Sequence, residues 1–164
     1  MRCLIVILLF GLLLSAVNVK EVKRVPIDEK AMLDRHNYYR DQVGVAPLEW
    51  SDDLADYAQE WANKLSKKCD MYHSTGPYGE NIFWTSGKAS ETAVVDNWAD
   101  EKRYFNHRTP VYRARNGNRY GHYTQIIWSE TTHVGGAYQK CRHGGEIWVC
   151  SYNPHGNIIG EKAF

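Results

Sequence analysis

Histidines and acidic residues are the side chains best able to do chemistry in this 164-residue chain, because imidazole both binds metals and titrates near neutrality. Seven histidines are present. His107, His133, His143 and His155 fall in loops or at strand ends, where a solvated or locally bonded ring is the ordinary outcome. His36 lies on the inner stripe of a helix beside Asn37 and Arg40, which suits a buried hydrogen-bonding role. His73 and His122 differ, since each stands where a turn-rich segment meets an ordered element. Glu80 opens a short strand within Gly79-Glu80-Asn81, and Glu101 faces inward from a helix that also carries Trp98. A buried carboxylate is costly without a partner, and two acids seeking partners match two imidazoles able to supply them. The competing reading is four independent polar residues, each satisfied locally, and periodicity alone does not choose between the two. No H-E-x-x-H, paired C-x-x-C, Gly-rich phosphate loop or G-x-S-x-G elbow occurs.

The elements that must position these residues follow from pattern. Pro26 and Asp28 mark a helix start, and Leu33, His36, Asn37 and Arg40 recur at helical spacing until Gly44 stops it near Val43. Ser51 caps a second helix with Asp52 and Asp53 in its first turn, where acids suit the helix dipole. Leu54, Tyr57, Ala58, Trp61 and Leu65 form its apolar face, giving a helix over 51–66. Residues 69–80 have loop composition, and 81–84 read as a short strand. Ser90 caps a third helix to about Tyr104, with Val94, Trp98 and Glu101 on one side. The Arg-, Asn- and Gly-rich stretch 107–120 reads as a long exposed loop, and 122–128 as a short helix. Two strands, 133–140 and 146–152, are joined through Arg142-His143-Gly144-Gly145 as a hairpin.

Composition bounds the function. Met1 and Arg2, the apolar run Cys3–Leu14 and the small residues Ser15 and Ala16 read as a secretory signal over 1–17, followed by an extended arm over 18–27 and one domain over 28–164. The apolar run is shorter than the roughly 20 residues a spanning helix needs, so an integral membrane protein is not expected. Removing Arg2 with the signal turns 20 Lys plus Arg into 19, against 19 Asp plus Glu. Nucleic-acid binding and polybasic membrane attachment, which need a basic surplus, are disfavoured. Three cysteines remain, Cys69, Cys141 and Cys150, and an oxidising extracellular compartment favours pairing two of them.

The string Gly121-His122-Tyr123-Thr124-Gln125-Ile126-Ile127-Trp128 resembles the signature of the CAP superfamily, which groups cysteine-rich secretory proteins, antigen 5 and plant pathogenesis-related proteins of class 1. Three further motifs resemble that family in the right order: His36-Asn37 with Arg40, Gly79-Glu80-Asn81-Ile82, and Tyr152-Asn153-Pro154-His155-Gly156-Asn157. The layout is most similar to single-domain class 1 pathogenesis-related proteins. The resemblance implies an α+β fold, a three-layer α-β-α sandwich with a small antiparallel sheet. It also implies that His73, Glu80, Glu101 and His122 line one central cleft able to hold zinc or another divalent cation weakly.

Departures from the family pattern affect the disulfides and the terminal turn. Cys69 and Cys141 match one family disulfide, whereas Gly136 stands where the usual partner of Cys150 would be, and Tyr120 replaces a further cysteine. The resemblance therefore implies a Cys69–Cys141 bond with Cys150 free. Local spacing alone would suggest Cys141–Cys150 across the hairpin. His155 replaces a second proline in the terminal turn.

The functions that follow are a secreted, non-enzymatic binding or defence-type module with sterol or fatty acid as its ligand, or a metal-dependent hydrolase with Glu101 or Glu80 as general base. A further alternative is a precursor releasing the eleven residues Pro154–Phe164 as a signalling peptide.

Overall fold

A computed structural model describes residues 22–111 and 120–164. The expected signal segment 1–17, part of the arm, and most of the 107–120 loop lie outside the described residues. In chain order the elements are α1 (Glu29–Asp41), β1 (Glu49–Trp50), α2 (Asp52–Leu65), β2 (Gly79–Thr85), α3 (Glu91–Ala99), a 3₁₀ turn (Asp100–Tyr104), α4 (Gly121–Ile126), β3 (His133–Lys140) and β4 (Glu146–Asn153). Residues 22–28 lie outside any helix or strand. No helix among the described residues is long and apolar enough to cross a membrane.

The caps read from sequence are made. The side chains of Asp28, Ser51 and Ser90 accept from the backbone N–H groups of Ala31, Leu54 and Ala93, satisfying donors that the first turn leaves free. The third helix is shorter than its apolar spacing implies, ending at Ala99 and tightening into the 3₁₀ turn. β2 is longer than expected, because Gly79 to Thr85 all pair with β4.

The sheet has the order β1-β3-β4-β2. Its three long strands are antiparallel, and β1 adds two residues parallel to β3, so the sheet is mixed. Alternation along β4 makes three layers. Ile147 and Val149 face α2, joining Ala58, Ala62, Leu65 and Ala137 in one core. Trp148, Cys150 and Tyr152 face the opposite way into a larger core with Met32, Trp98 and Trp128 from the α1, α3 and α4 side. Each fully buried Leu or Ile contributes roughly 1.5–3 kcal/mol, and β4 is buried on both faces along nearly its whole length.

Two glycines in β3 allow both layers to close. A Cβ on Gly135 would come within 2.2 Å of the Ala55 backbone nitrogen, so the first turn of α2 lies directly on the strand. Gly136 sits opposite Cys150, and a Cβ there would come within 2.4 Å of Met32 Sδ. The Met32 sulfur thus occupies the space beside Cys150, 3.4 Å from its Sγ. Cys69 and Cys141 form the disulfide, and Cys150 is the free, buried thiol. Burial pushes that thiol's pKa up, which suppresses the reactive thiolate.

Candidate functional site

His73 is carried on the connection between α2 and β2, and the Cys69–Cys141 bond ties the start of that connection to the end of β3. Two residues read as core face of α2 hold it as well. Trp61 Nε1 donates to the Tyr72 carbonyl at 3.2 Å, and the Tyr57 hydroxyl donates to Ser74 Oγ at 3.3 Å. Glu80, the second residue of β2, accepts from His73 Nδ1 at 2.7 Å and from the Ser74 amide at 3.0 Å, both on Oε1. That hydrogen bond holds His73 above the usual histidine pKa, against the opposing effect of burial. The second oxygen of Glu80, Oε2, is buried and has no hydrogen-bond partner among the described residues.

His122 is the second residue of α4, whose N-cap residue Tyr120 makes no side-chain capping bond among the described residues. Glu101 does that work from the 3₁₀ turn. Its Oε2 accepts from the His122 and Tyr123 amides at 2.9 and 3.3 Å, and its Oε1 accepts from His122 Nδ1 at 2.8 Å. An anion at a helix N-terminus is the favourable sign for the free N–H groups there. Trp98 stacks on the His122 ring, with centroids 6.1 Å apart and planes 28° apart, and donates its own Nε1 to the Ile82 carbonyl.

A carboxylate only accepts, so both Nδ1 atoms carry the proton and each neutral ring keeps its Nε2 lone pair. Neither Nε2 has a partner among the described residues. Both rings line one cavity of about 330 Å³ with Glu80, Asn81, Gly121 and Asn157. A second cavity of about 380 Å³ shares His73, Glu80 and Asn157 and extends past Tyr78 and Gln125 to His155.

The remaining motif residues build the frame. His36 Nδ1 donates to the Met32 carbonyl at 2.8 Å, so its Nε2 accepts from the Tyr152 hydroxyl at 2.8 Å. Tyr152 oxygen accepts in turn from Asn81 Nδ2, which also donates to the His122 carbonyl, both at 3.1 Å. A buried chain of hydrogen bonds therefore runs from α1 to the backbone of His122. Burial lowers the His36 pKa to about 4, keeping the ring neutral as that chain requires. Arg40 is fully buried, and desolvation draws its pKa down to about 10. It donates to the carbonyls of Ala46, Ile126, Trp128 and Thr131, pinning the exit of α4. Asn37 exchanges two bonds with the Leu48 backbone and fixes the approach to β1.

The C-terminal segment supplies a wall of the cleft that sequence reading missed. Gly156 N donates to Gln125 Oε1 at 2.9 Å, and Asn157 bonds Thr124 and the Gly121 carbonyl. Gly156 lies on the Trp128 indole, where a Cβ would come within 2.7 Å of the ring. Tyr123 and Trp128 are buried beneath. The terminal Tyr152–Asn157 motif was the available signal, but nothing local in it pointed toward His73.

The family model described as the cysteine-rich secretory protein family, CAP, matches residues 33–152. The chain belongs to the CAP family. It is 43% identical over 133 residues to pathogenesis-related protein 1C of Nicotiana tabacum, covering 80% of this chain and 78% of the relative. It is 41% identical over 130 residues to pathogenesis-related protein 1 of Arabidopsis thaliana, covering 79% and 78%. In fold, this CAP protein is similar to the crystal structure of NaASP2 with Zn2+, with a TM-score of 0.69 at 23% identity over 82% of this chain and 83% of that one. BmVAL-1 gives a TM-score of 0.70 at 24% identity, covering 85% and 82%.

The donor set sets limits on a metal. Among the described residues no group of three or more His, Cys, Asp or Glu side chains is placed to hold a metal ion. The three protein ligands of the zinc in hydrolases are therefore not assembled among the described residues.

Proposed function

We propose that this CAP protein is a secreted, non-enzymatic binding module of the pathogenesis-related class 1 type, acting in defence, whose cleft takes a divalent cation such as Zn2+ on the Nε2 atoms of His73 and His122. The observation carrying this reading is that Glu80 and Glu101 each fix the Nδ1 of one imidazole that lines the same cavity. Such carboxylate–imidazole pairing fixes the tautomer and raises ligand basicity. Glu80 and Glu101 act as orienting groups, with water completing the coordination.

A hydrolytic role would ask a two-ligand cation to activate water, and Glu101, the general base for that role, already accepts from three donors. The binding reading is therefore favoured. An apolar lipid does not suit the lobe between the two imidazoles, whose walls are imidazole, carboxylate and amide groups. Sterol or fatty-acid binding accordingly requires another surface, and retention of labelled sterol or fatty acid by purified protein tests it. Of the residues Pro154–Phe164, His155, Gly156 and Asn157 line the cleft and Ala163 is buried, its carbonyl accepting from Ser129 N at 2.7 Å, which favours an architectural role over a peptide cargo.

Calorimetric titration with Zn2+ tests the central proposal. One ion per chain is expected, with binding abolished in His73→Ala and in His122→Ala and weakening as the pH falls through the raised His73 titration. Binding that survives both substitutions, or no binding at all by the folded protein, overturns it.

A further inference from the structure

The sheet carries a second concave surface at the end away from the cleft, where a turn joins β3 to β4. Lys140 stands directly opposite Glu146, and Glu146 opposite Thr85, so one cross-strand row ends the sheet there. Two adjoining hollows of about 200 and 290 Å³ meet on that row, since Lys88, Lys140 and Glu146 line both. The first holds the stacked rings of Tyr138 and Trp148, centroids 4.6 Å and planes 17° apart, with Trp148 buried and Tyr138 half-buried. The second is lined by Gly87, Gly144 and Gly145, and a Cβ added at Gly87 or Gly144 would meet nothing within 4 Å. Trp84, 43% exposed, stands beside Gly145, whose added Cβ would come within 3.2 Å of its Nε1. Glu146 itself is only 6% exposed. Its Oε2 accepts from the Ala89 amide at 3.2 Å and from Trp148 Nε1 at 3.3 Å, which fixes the carboxylate. Its Oε1 has no partner among the described residues and, unlike Glu80 Oε2, is not sealed from solvent. Neither Lys88 nor Lys140 forms an ion pair among the described residues.

We infer that this groove binds an acidic polysaccharide, with one hexuronate ring against Tyr138, its carboxylate on Lys88 and Lys140, and a ring hydroxyl donating to Glu146 Oε1. The inference is independent of the cation site in the cleft. Two uncommitted ammonium groups select a negative charge. A fixed carboxylate beside them repels a bare anion, so the ligand must bring hydroxyl donors along with that charge. A uronate carries both on one ring and adds an apolar C–H face for the aromatic surface of Tyr138. Two hollows sharing one charged trio suit consecutive rings of a chain, the second ring lying over the glycines beside Trp84. The competing use of these charges is a cross-strand pair between Lys140 and Glu146. That pair is weak where the lysine is exposed, and it leaves Lys88 without a role.

Backbone-amide NMR of the purified protein in metal-free buffer, titrated with trigalacturonate, tests this, with trigalacturonate methyl ester and triglutamate as uncharged-sugar and acidic-peptide counterparts. Saturable shifts are expected over residues 86–89 and 138–146, with residues 73–80 of the cleft unmoved. Affinity should be about tenfold lower for the ester, which lacks the charge, and for triglutamate, which lacks the ring and its hydroxyls. Lys88→Ser combined with Lys140→Ser should weaken trigalacturonate binding by about tenfold or more. Lys64→Ser combined with Lys162→Ser removes the same charge from other surfaces and should leave the affinity unchanged. All four lysines are exposed, so both double variants keep the fold. Tyr138→Leu should weaken the acid and the ester alike. Equal affinity for triglutamate or for the ester, undiminished binding in the Lys88 and Lys140 double variant, or equal losses in the two double variants overturns the inference. Shifts confined to residues 73–80, or no saturable shift in the folded wild type, overturn it as well.

Discussion

The two His–Glu pairs of the cleft have the same Nδ1-to-carboxylate bond and opposite surroundings. On the His122 side the carboxylate accepts from three donors, the ring stacks on fully buried Trp98, and both partners sit in or beside helices. On the His73 side the imidazole is 64% exposed on an irregular connection, and its carboxylate partner is buried with one oxygen unused among the described residues. One half is therefore internally satisfied and fixed by the core, while the other presents an exposed imidazole from an irregular connection. Stability should reside in the first half and selectivity in the second.

The sharpest way to break the His122 half is Trp98→Ala, which removes a fully buried indole and its stacking surface. A loss of roughly 3–5 kcal/mol in urea denaturation is expected, with zinc binding lost wherever the protein still folds. Reducing the Cys69–Cys141 bond, whose cysteines are 72 residues apart, should cost up to about 4 kcal/mol in the chain-entropy view. Hydrogen exchange should then rise more over residues 69–78 than over α4, and equal acceleration would erase the contrast between the halves.

Acid provides the third test. The His36 pKa is about 4 in the fold against an ordinary 6.5, so between those values the unfolded chain binds a proton that the native state excludes. Stability is thus lost as pH falls through that window, by about 3 kcal/mol from this group at its lower end. The comparison is with His36→Gln, which should show a shallower pH dependence in the same window. The smallest effects come from the acids themselves. Glu101→Gln should cost about 1–2 kcal/mol by weakening three accepted bonds, and Glu80→Gln less than about 1 kcal/mol, because half of that carboxylate is unused. Thermal melts of the two variants measure the difference, and a larger loss at Glu80 would reverse the assignment of roles.

Much of the frame was legible from local physics. Caps at Asp28, Ser51 and Ser90 and the Gly144-Gly145 turn placed three helices and the hairpin, because those signals act over a few residues. β1 was invisible, since two residues carry no period. Tyr57 and Trp61 looked like core but hold the connection that bears His73, a long-range use that helical spacing cannot distinguish from burial. The meeting of His73 with Glu80 and of His122 with Glu101 came from family resemblance rather than periodicity. Each pair depends on tertiary placement, the second across a separation of 21 residues. Gly156 and Asn157 were missed as cleft wall for the same reason, because their partners lie 31 and 33 residues earlier on α4.

Long-range proton–nitrogen NMR of the imidazole rings at mildly alkaline pH, before and after zinc, examines the paired-imidazole arrangement most directly. Both His73 and His122 should carry their proton on Nδ1, and their Nε2 resonances should move together with one equivalent of metal. A proton on Nε2 of either ring, or a zinc response confined to one of them, would contradict it.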